Sequence, residues 1–345
     1  MVDKKVSDFD VCLYHAGCPD GIGAAWCLWR ENKIIRNEFL NRDHQQKFSV
    51  NPLVIQGVRY NEPPPENIIK GKRVIIVDFS YDRETIKKMC EISEYIFILD
   101  HHDTAQRELE GLEVLIPNFS FIFDMTRSGV QITWDWCYPN KDRPWFVEVI
   151  ADRDLWKWTY PKSKELGKAL YHFGWYTFDK LEELYQIEYG NQDVDEDVRK
   201  TFSYHQKDIF LEQGKMLMDI EKREISYAVA KSVLCEFHGY KVRTTSCSHL
   251  IRSEVGSALC EKGDCDFSMT SRYDFEKDQW WVSLRGIKSC KVALNILCEK
   301  YGGGGHQRAC GFAIHGSRSL EWIDASDEDK KNMACGNLHD YFKIL

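Results

Sequence analysis

Leu99-Asp100-His101-His102 directly follows the apolar run Tyr95-Ile96-Phe97-Ile98. A strand-like run that stops in a carboxylate and two imidazoles presents hard and borderline metal ligands at a strand tip. In open α/β sheets that carboxyl edge is where ligands bind. Three more apolar runs stop the same way. Val11-Cys12-Leu13-Tyr14 ends in His15, with Asp20-Gly21 a few residues on; Val74-Ile75-Ile76-Val77 ends in Asp78; Val147-Glu148-Val149-Ile150-Ala151 leads to Asp152 and Asp154. A single aspartate at a strand end is an ordinary cap or turn former. Four of them, with a histidine doublet, favour a metal site over four unrelated caps.

Aspartate and histidine together suit Mn²⁺, Fe²⁺, Co²⁺ or Zn²⁺, whereas an all-oxygen set would suggest Mg²⁺ or Ca²⁺. A bridging carboxylate can hold two metals about 3.5–4 Å apart, which clamp both oxygens of an in-line phosphoryl displacement. Such a pair acidifies water and neutralises phosphate charge. The residues therefore point to metal-assisted hydrolysis of a phosphoester or phosphoanhydride.

Several segments carry a resemblance. His15 to Trp26 (HAGCPDGIGAAW) looks like the first motif of the DHH phosphoesterases, Val77-Asp78-Phe79-Ser80 like the second, and Leu99 to Thr104 (LDHHDT) like the signature that names them. Gly302 to Phe312 (GGGGHQRACGF) is similar to the glycine motif of their C-terminal DHHA1 domain. Smaller matches fall in the same order: Asp124 to Gly129, Ala151 to Trp156, Glu254-Val255-Gly256 and Ser283-Leu284-Arg285. The resemblance spans roughly residues 8 to 315.

That resemblance implies a metal set of His15, Asp20, Asp78, Asp100, His101 and Asp152, with Asp78 as the bridge and two Mn²⁺ ions expected; Mg²⁺, Co²⁺ or Zn²⁺ are the other candidates. Asp154 competes with Asp152, which aligns better. His102 and Asp103 would move protons or touch the scissile phosphate. Arg285, Gly303, Gly304, Gly305, His306 and Arg308 would grip substrate. Four glycines let the backbone approach a ligand and offer N–H groups to phosphate oxygens, more than a helix C-cap needs. The implied substrate is a short single-stranded oligonucleotide or a small nucleotide phosphoester. An inorganic pyro- or polyphosphatase is one alternative, and a nucleotide-binding protein without turnover is another. The latter stays open because many family members carry Asp-x-Asp in the first motif where this chain reads Cys18-Pro19-Asp20. A thiolate there would favour Zn²⁺ over Mn²⁺. Packing as a small apolar residue is the commoner fate of a free cysteine and the favoured reading of Cys18.

The elements that must position these groups form an α/β chain of two domains, an N-terminal parallel-sheet domain and a smaller C-terminal mixed-sheet domain joined by helices. Residues 1–160 are expected to hold the metals, 161–224 to form a helical connector and 225–345 to bind substrate. Up to about residue 155, strand-like and helix-like patterns alternate, as in a parallel sheet with crossover helices. Gly23 to Glu31, with Asp20 as its cap, Arg83 to Ile92 and Ser128 to Trp136 read as helices. In the second domain Ala228-Val229-Ala230, Val233-Leu234, Tyr240 to Val242, Phe267 to Met269, Gln279 to Leu284 and Ala309 to Ile314 read as strands. Ser253 to Glu261 and Cys290 to Tyr301 read as helices. Trp280 and Trp281 share one strand, so one faces the core and the other is available to stack a base. Ser326 to Leu345 reads as an acidic helix start and an amphipathic tail.

Composition narrows the partners. In 345 residues, 43% hydrophobic content with 11 Trp, 16 Tyr and 18 Phe supports sizeable cores. Thirteen cysteines without paired spacing read as free thiols of a reducing compartment, and Cys260 with Cys265 lacks the second pair that structural zinc needs. A net charge of −8 argues against gripping a long duplex through a broad basic surface. The N-terminus carries no apolar signal core and no run approaches a membrane span, so a cytoplasmic location is expected. Homodimerisation is left open by the sequence.

Overall fold

The computed structural model describes residues 4–42, 51–60, 62–190, 195–315 and 343–344. The chain divides into two compact units between Leu217 and Met218. The tail expected over Ser326 to Leu345 lies outside the described residues apart from Lys343 and Ile344.

In the first unit the order is β1 (Val11–His15), α1 (Pro19–Arg42), β2 (Val54–Val58), α2 (Glu66–Ile69), β3 (Arg73–Val77), α3 (Arg83–Ile92), β4 (Tyr95–Asp100), α4 (Asp103–Leu109), α5 (Leu112–Leu115) and β5 (Phe119–Phe123). Helices α6 (Gly129–Cys137), α7 (Trp145–Asp154), α8 (Ser163–His172) and α9 (Phe178–Tyr185) follow, and α10 (Glu196–Ala230) runs across the boundary between the units. The five strands are parallel, in the order β2-β1-β3-β4-β5. Alternate side chains feed two cores, as a sheet covered on both faces requires. Leu13, Ile76 and Ile98 pack with Ile86 and Met89 of α3. Cys12, Ile75, Val77 and Leu99 pack with Ala24, Ala25 and Leu28 of α1 and Ile132 of α6. The strand order reverses direction at β1 and β3, the point at which open α/β sheets bind their ligands, beyond the carboxyl ends of the strands.

Three expectations are corrected here. The run Val147 to Ala151 lies inside helix α7, not in a strand. It is buried nearly all round against Trp26, Trp134 and Leu170, and a short apolar run buried on every side has no period that separates helix from strand. Residues 161–224 do not stand apart as a connector, because Leu166, Leu170, Leu181, Leu184 and Phe210 belong to the same core as Trp26 and Trp134. Ala228-Val229-Ala230 ends helix α10 and is not a strand.

The second unit contains β6 (Val233–Phe237), β7 (Tyr240–Ser246), α11 (Arg252–Glu261), β8 (Phe267–Asp274), β9 (Gln279–Arg285), α12 (Leu294–Glu299), β10 (Gly304–His306), β11 (Ala309–His315) and β12 (Lys343–Ile344). They form a mixed sheet in the order β10-β11-β9-β8-β7-β6-β12, with β7 and β8 parallel and the other pairs antiparallel. Along β9, Trp280 packs on the core while Trp281 is exposed, as strand alternation requires.

Candidate metal centre

Three strand ends deliver the site. His15 closes β1, Asp78 follows β3, and Asp100 closes β4 just before His101 and His102. Asp78 has a left-handed backbone, with φ +51°. For a residue other than glycine that costs roughly 1–2 kcal/mol. It is held there by its own N–H, which donates to the Leu99 carbonyl at 3.0 Å. The turn aims its carboxylate across the strand ends: Oδ2 faces His15 Nδ1 at 3.7 Å, and Oδ1 faces His101 Nε2 at 3.2 Å.

His101 Nε2 is surrounded by carboxylates, with Asp154 Oδ2 at 3.4 Å and Asp20 Oδ2 at 3.7 Å besides Asp78. Asp20 was expected to cap its own helix. It lies instead in the first turn of α1 and accepts N–H groups from the start of α6, Gly129 at 2.6 Å and Val130 at 3.0 Å. A carboxylate on those unpaired amides is well placed electrostatically. Asp100 has both oxygens engaged. Oδ1 accepts from His101 N–H and meets His102 Nδ1, each at 2.7 Å, while Oδ2 accepts from Ser80 at 3.1 Å. Asp100 therefore orients the histidine pair, and it stands with Asp78, His101 and His102 in one group of possible metal donors.

Asp154, not Asp152, joins the cluster. The Asp152 carboxylate accepts from Thr159 N–H at 2.8 Å, from the Thr159 hydroxyl at 3.0 Å and from Ser163. These bonds pin a turn in which Trp156, Trp158 and Lys162 all have positive φ. Asp152 is thus committed to shaping the exit of α7, while Asp154, at that helix's last position, points its carboxylate at His101. Asp103 also falls outside: it opens α4, is exposed and pairs with Arg107 at 2.9 Å.

Three overlapping groups of donors result, each with its ligand atoms within 4.8 Å of one another: His15, Cys18 and Asp78; Asp20, His101 and Asp154; and Asp78, Asp100, His101 and His102. Burial would disfavour a charged His101, but Asp78, Asp20 and Asp154 override it and push the pKa up to about 10. For His102, Asp100 outweighs burial and raises the pKa to about 9. Burial, reinforced by Asp78, pushes Asp154 up to about 6 and holds Asp20 well above the usual carboxylate range. Burial pushes Asp78 upward as well, yet the imidazoles of His101 and His15 prevail and hold it below that range. Burial first, then the charge of Asp78, raises the Cys18 thiol. Without a cation the cluster balances its charge with protons.

The donor set fits a metal. Oδ2 of Asp78 and Oδ2 of Asp154 are sealed from solvent without a hydrogen-bond partner. A buried acceptor left unpaired costs about 1–3 kcal/mol, more when charged, and a divalent cation removes that cost. Two glycines make room for the cluster. A Cβ on Gly129 would lie 2.6 Å from Asp78 Cβ, and one on Gly21 would lie 2.4 Å from the His15 carbonyl oxygen. The sequence signalled Gly129 as a helix start and as the end of the Asp124 to Gly129 match, and gave no sign of the contact with Asp78.

In the second unit, Arg285 donates to the carbonyls of Leu284 and Cys310 and to the Ser253 hydroxyl, and burial and Arg252 lower its pKa. The glycine run divides by role. Gly302, with φ +70°, follows α12. A Cβ on Gly303 would meet the Gly311 carbonyl oxygen at 2.2 Å, and one on Gly305 would meet the Ala309 carbonyl oxygen at 2.8 Å. Gly302, Gly303 and Gly305 therefore have reasons internal to the fold. A Cβ on Gly304 would meet nothing within 4 Å, and Gly304, His306 and Arg308 are exposed along the edge strand β10 and its turn.

No family model matches the chain. Over 334 residues, 92% of its length, it is 30% identical to the uncharacterized protein R106 of Acanthamoeba polyphaga mimivirus, covering 70% of that protein. The chain belongs to the family of this viral protein. Among solved structures it is similar to a pGpG-specific phosphodiesterase, PggH, from Vibrio cholerae, at 15% identity and a TM-score of 0.41 over 94% of this chain and 97% of that one. A Methanococcus jannaschii structure described as a putative family II inorganic pyrophosphatase aligns at 13% identity and a TM-score of 0.26, over 94% and 99%. At such scores the chemistry has to be read from the side chains. No helix among the described residues is long and apolar enough to cross a membrane.

Proposed function

We propose that the first unit is a metal-dependent phosphoesterase of the DHH type, acting on short oligonucleotides or small nucleotide phosphoesters. The observation that carries this reading is the pair of donor groups joined through Asp78 and His101, with two buried carboxylate oxygens that face imidazoles yet accept no hydrogen bond. His15, Asp20, Asp78, His101 and Asp154 would hold a pair of divalent ions, at least one of them Mn²⁺-type. When bound, such ions acidify water and neutralise a phosphate. His102, steadied by Asp100, is the group we assign to the phosphate or to the leaving oxygen's proton. Gly304, His306, Arg308 and Arg285 of the second unit are assigned to binding a phosphate of the substrate. Arg285 has carbonyls and a hydroxyl as its bonded neighbours, which supports an anion as its partner.

The test is hydrolysis by the purified chain with Mn²⁺ of a labelled dinucleotide, a short RNA, 3′-phosphoadenosine 5′-phosphate and polyphosphate, with Asp78→Ala as control. Mononucleotide release that disappears in the variant supports the proposal. Cleavage of polyphosphate alone moves the activity to phosphoanhydrides. Equal turnover by Asp78→Ala, or none by the wild type, refutes it.

A further inference from the structure

The two donor groups that meet at Asp78 are chemically unequal. One offers the Asp20 and Asp154 carboxylates with His101, and the other offers His15, the Cys18 sulfur and Asp78. Cys18 occupies the short loop between β1 and α1. Gly17 turns that loop with φ +80°, and Gly21 packs so closely on His15 that a side chain there would strike the backbone. The loop therefore curls back over the end of β1 and carries the sulfur to the same point as His15 and Asp78. Buried cysteines that pack as apolar residues sit differently: Cys12 and Cys27 lie inside hydrophobic cores. Asp78 Oδ2, the oxygen turned toward His15, has no hydrogen-bond partner and is buried. The sulfur thus lies beside an imidazole and an unpartnered carboxylate oxygen, an environment for a cation and not for a packed thiol.

We propose that Cys18 is a metal ligand and that it divides the centre into unequal halves. The His15–Cys18–Asp78 half takes a zinc-type cation, and the Asp20–His101–Asp154 half takes a harder, manganese-type ion. Thiolates select borderline and soft ions, while carboxylate-rich sets accept Mn²⁺ or Mg²⁺. Asp78 turns one oxygen toward each half and serves both. The inference rests on reading the cluster as a metal centre, and it specifies which ion each half prefers.

The experiment is titration of the chelator-stripped, full-length chain with Co²⁺, followed by near-ultraviolet thiolate-to-cobalt charge-transfer absorption and by metal content. Cys18→Ser and Cys18→Asp are titrated in parallel, the latter keeping an ionisable ligand so that folding and metal loading can be checked by circular dichroism. The expected result is a charge-transfer band that saturates at one cobalt per chain and is lost in both variants. In competition, Cys18→Asp should lose at least tenfold in preference for Zn²⁺ over Mn²⁺. Cobalt binding without the band, a band that survives in Cys18→Ser, or an unchanged ion preference in Cys18→Asp overturns the role of Cys18 and leaves the metal centre standing. Failure of the wild-type chain to bind cobalt overturns both.

Discussion

Gly129→Ala tests the geometry of the centre without replacing a ligand. Gly129 is the first residue of α6, and its N–H holds Asp20 Oδ2 at 2.6 Å. The added methyl would sit 2.6 Å from Asp78 Cβ, 2.9 Å from Asp20 Oδ2 and 3.0 Å from Asp78 Oδ1. Carbon atoms settle about 3.5–4.0 Å apart, so α6 and Asp78 must separate by about 1 Å. Alanine gains up to about 1 kcal/mol over glycine in a helix, and overpacking costs about 1–3 kcal/mol. The fold should therefore survive with a net loss of no more than about 3 kcal/mol. Metal sites tolerate only about ±0.2 Å, so binding suffers most, by about 10–100-fold as when a supporting residue is lost. The assay is urea unfolding with and without Mn²⁺. At 100 times the wild-type Kd, metal adds about 2.7 kcal/mol, whereas a variant bound 100-fold more weakly gains about 0.4 kcal/mol. A full wild-type increment in Gly129→Ala would refute the claim that this contact sets the ligand positions.

Asp154→Asn should cut metal affinity at least tenfold while raising the stability of the metal-free chain, because it removes one of three crowded carboxylates. Asp152→Asn, two residues earlier, should keep metal stoichiometry and lose about 1–3 kcal/mol as its bonds to Thr159 and Ser163 weaken; calorimetric titration and urea melts separate the pair. In the second unit, Gly303→Ala drives a methyl against the Gly311 carbonyl and should lower the melting temperature. Gly304→Ala should fold as the wild type and raise KM for the phosphoester, which steady-state kinetics on both variants would check. Asp135 accepts from Arg127 at 2.7 Å and Arg143 at 2.6 Å, and these two guanidiniums override burial and lower its pKa. Its contribution is therefore present above the unfolded value of 3.8 and lost as pH falls through the lower folded value. Urea midpoints between about pH 6 and pH 3 should fall less steeply in Asp135→Asn than in the wild type.

The central strands were legible because both of their faces are buried, so β1, β3 and β4 appear as continuous apolar runs and the residues ending them stand out. The edge strands β2 and β5 carry half-exposed positions and gave no such run. Helix α7 looked like a strand because its run Val147 to Ala151 is buried except at Glu148 and so shows no helical period. Asp152 was preferred to Asp154 because it aligns better with the family's motif, and only the turn pinned by Thr159 and Ser163 shows which of the two faces His101. Asp20 lies beside His101, but its helix partner is 109 residues away in sequence, beyond any local pattern. Glycine-rich sequence marked β10 without distinguishing the glycines the fold requires from Gly304.

The centre gathers like charges that would separate if they could, and the fold denies each a way out. Two carboxylates 4 Å apart repel by about 4 kcal/mol at an effective dielectric near 20, which is large beside a domain's net stability of about 5–15 kcal/mol. Asp20 is tied to the α6 amides, Asp78 is fixed by a left-handed turn anchored on Leu99, and Asp154 is carried by a helix whose exit Asp152 pins. Each restraint comes from backbone or from a residue outside the donor groups, so none occupies an oxygen that a cation would use at Asp78 Oδ2 or Asp154 Oδ2. In the metal-free chain protons on the cluster hold that repulsion down, and a cation takes their place. Removing a restraint and removing a ligand should therefore have opposite effects on the metal-free chain: the first destabilises it and the second relaxes it.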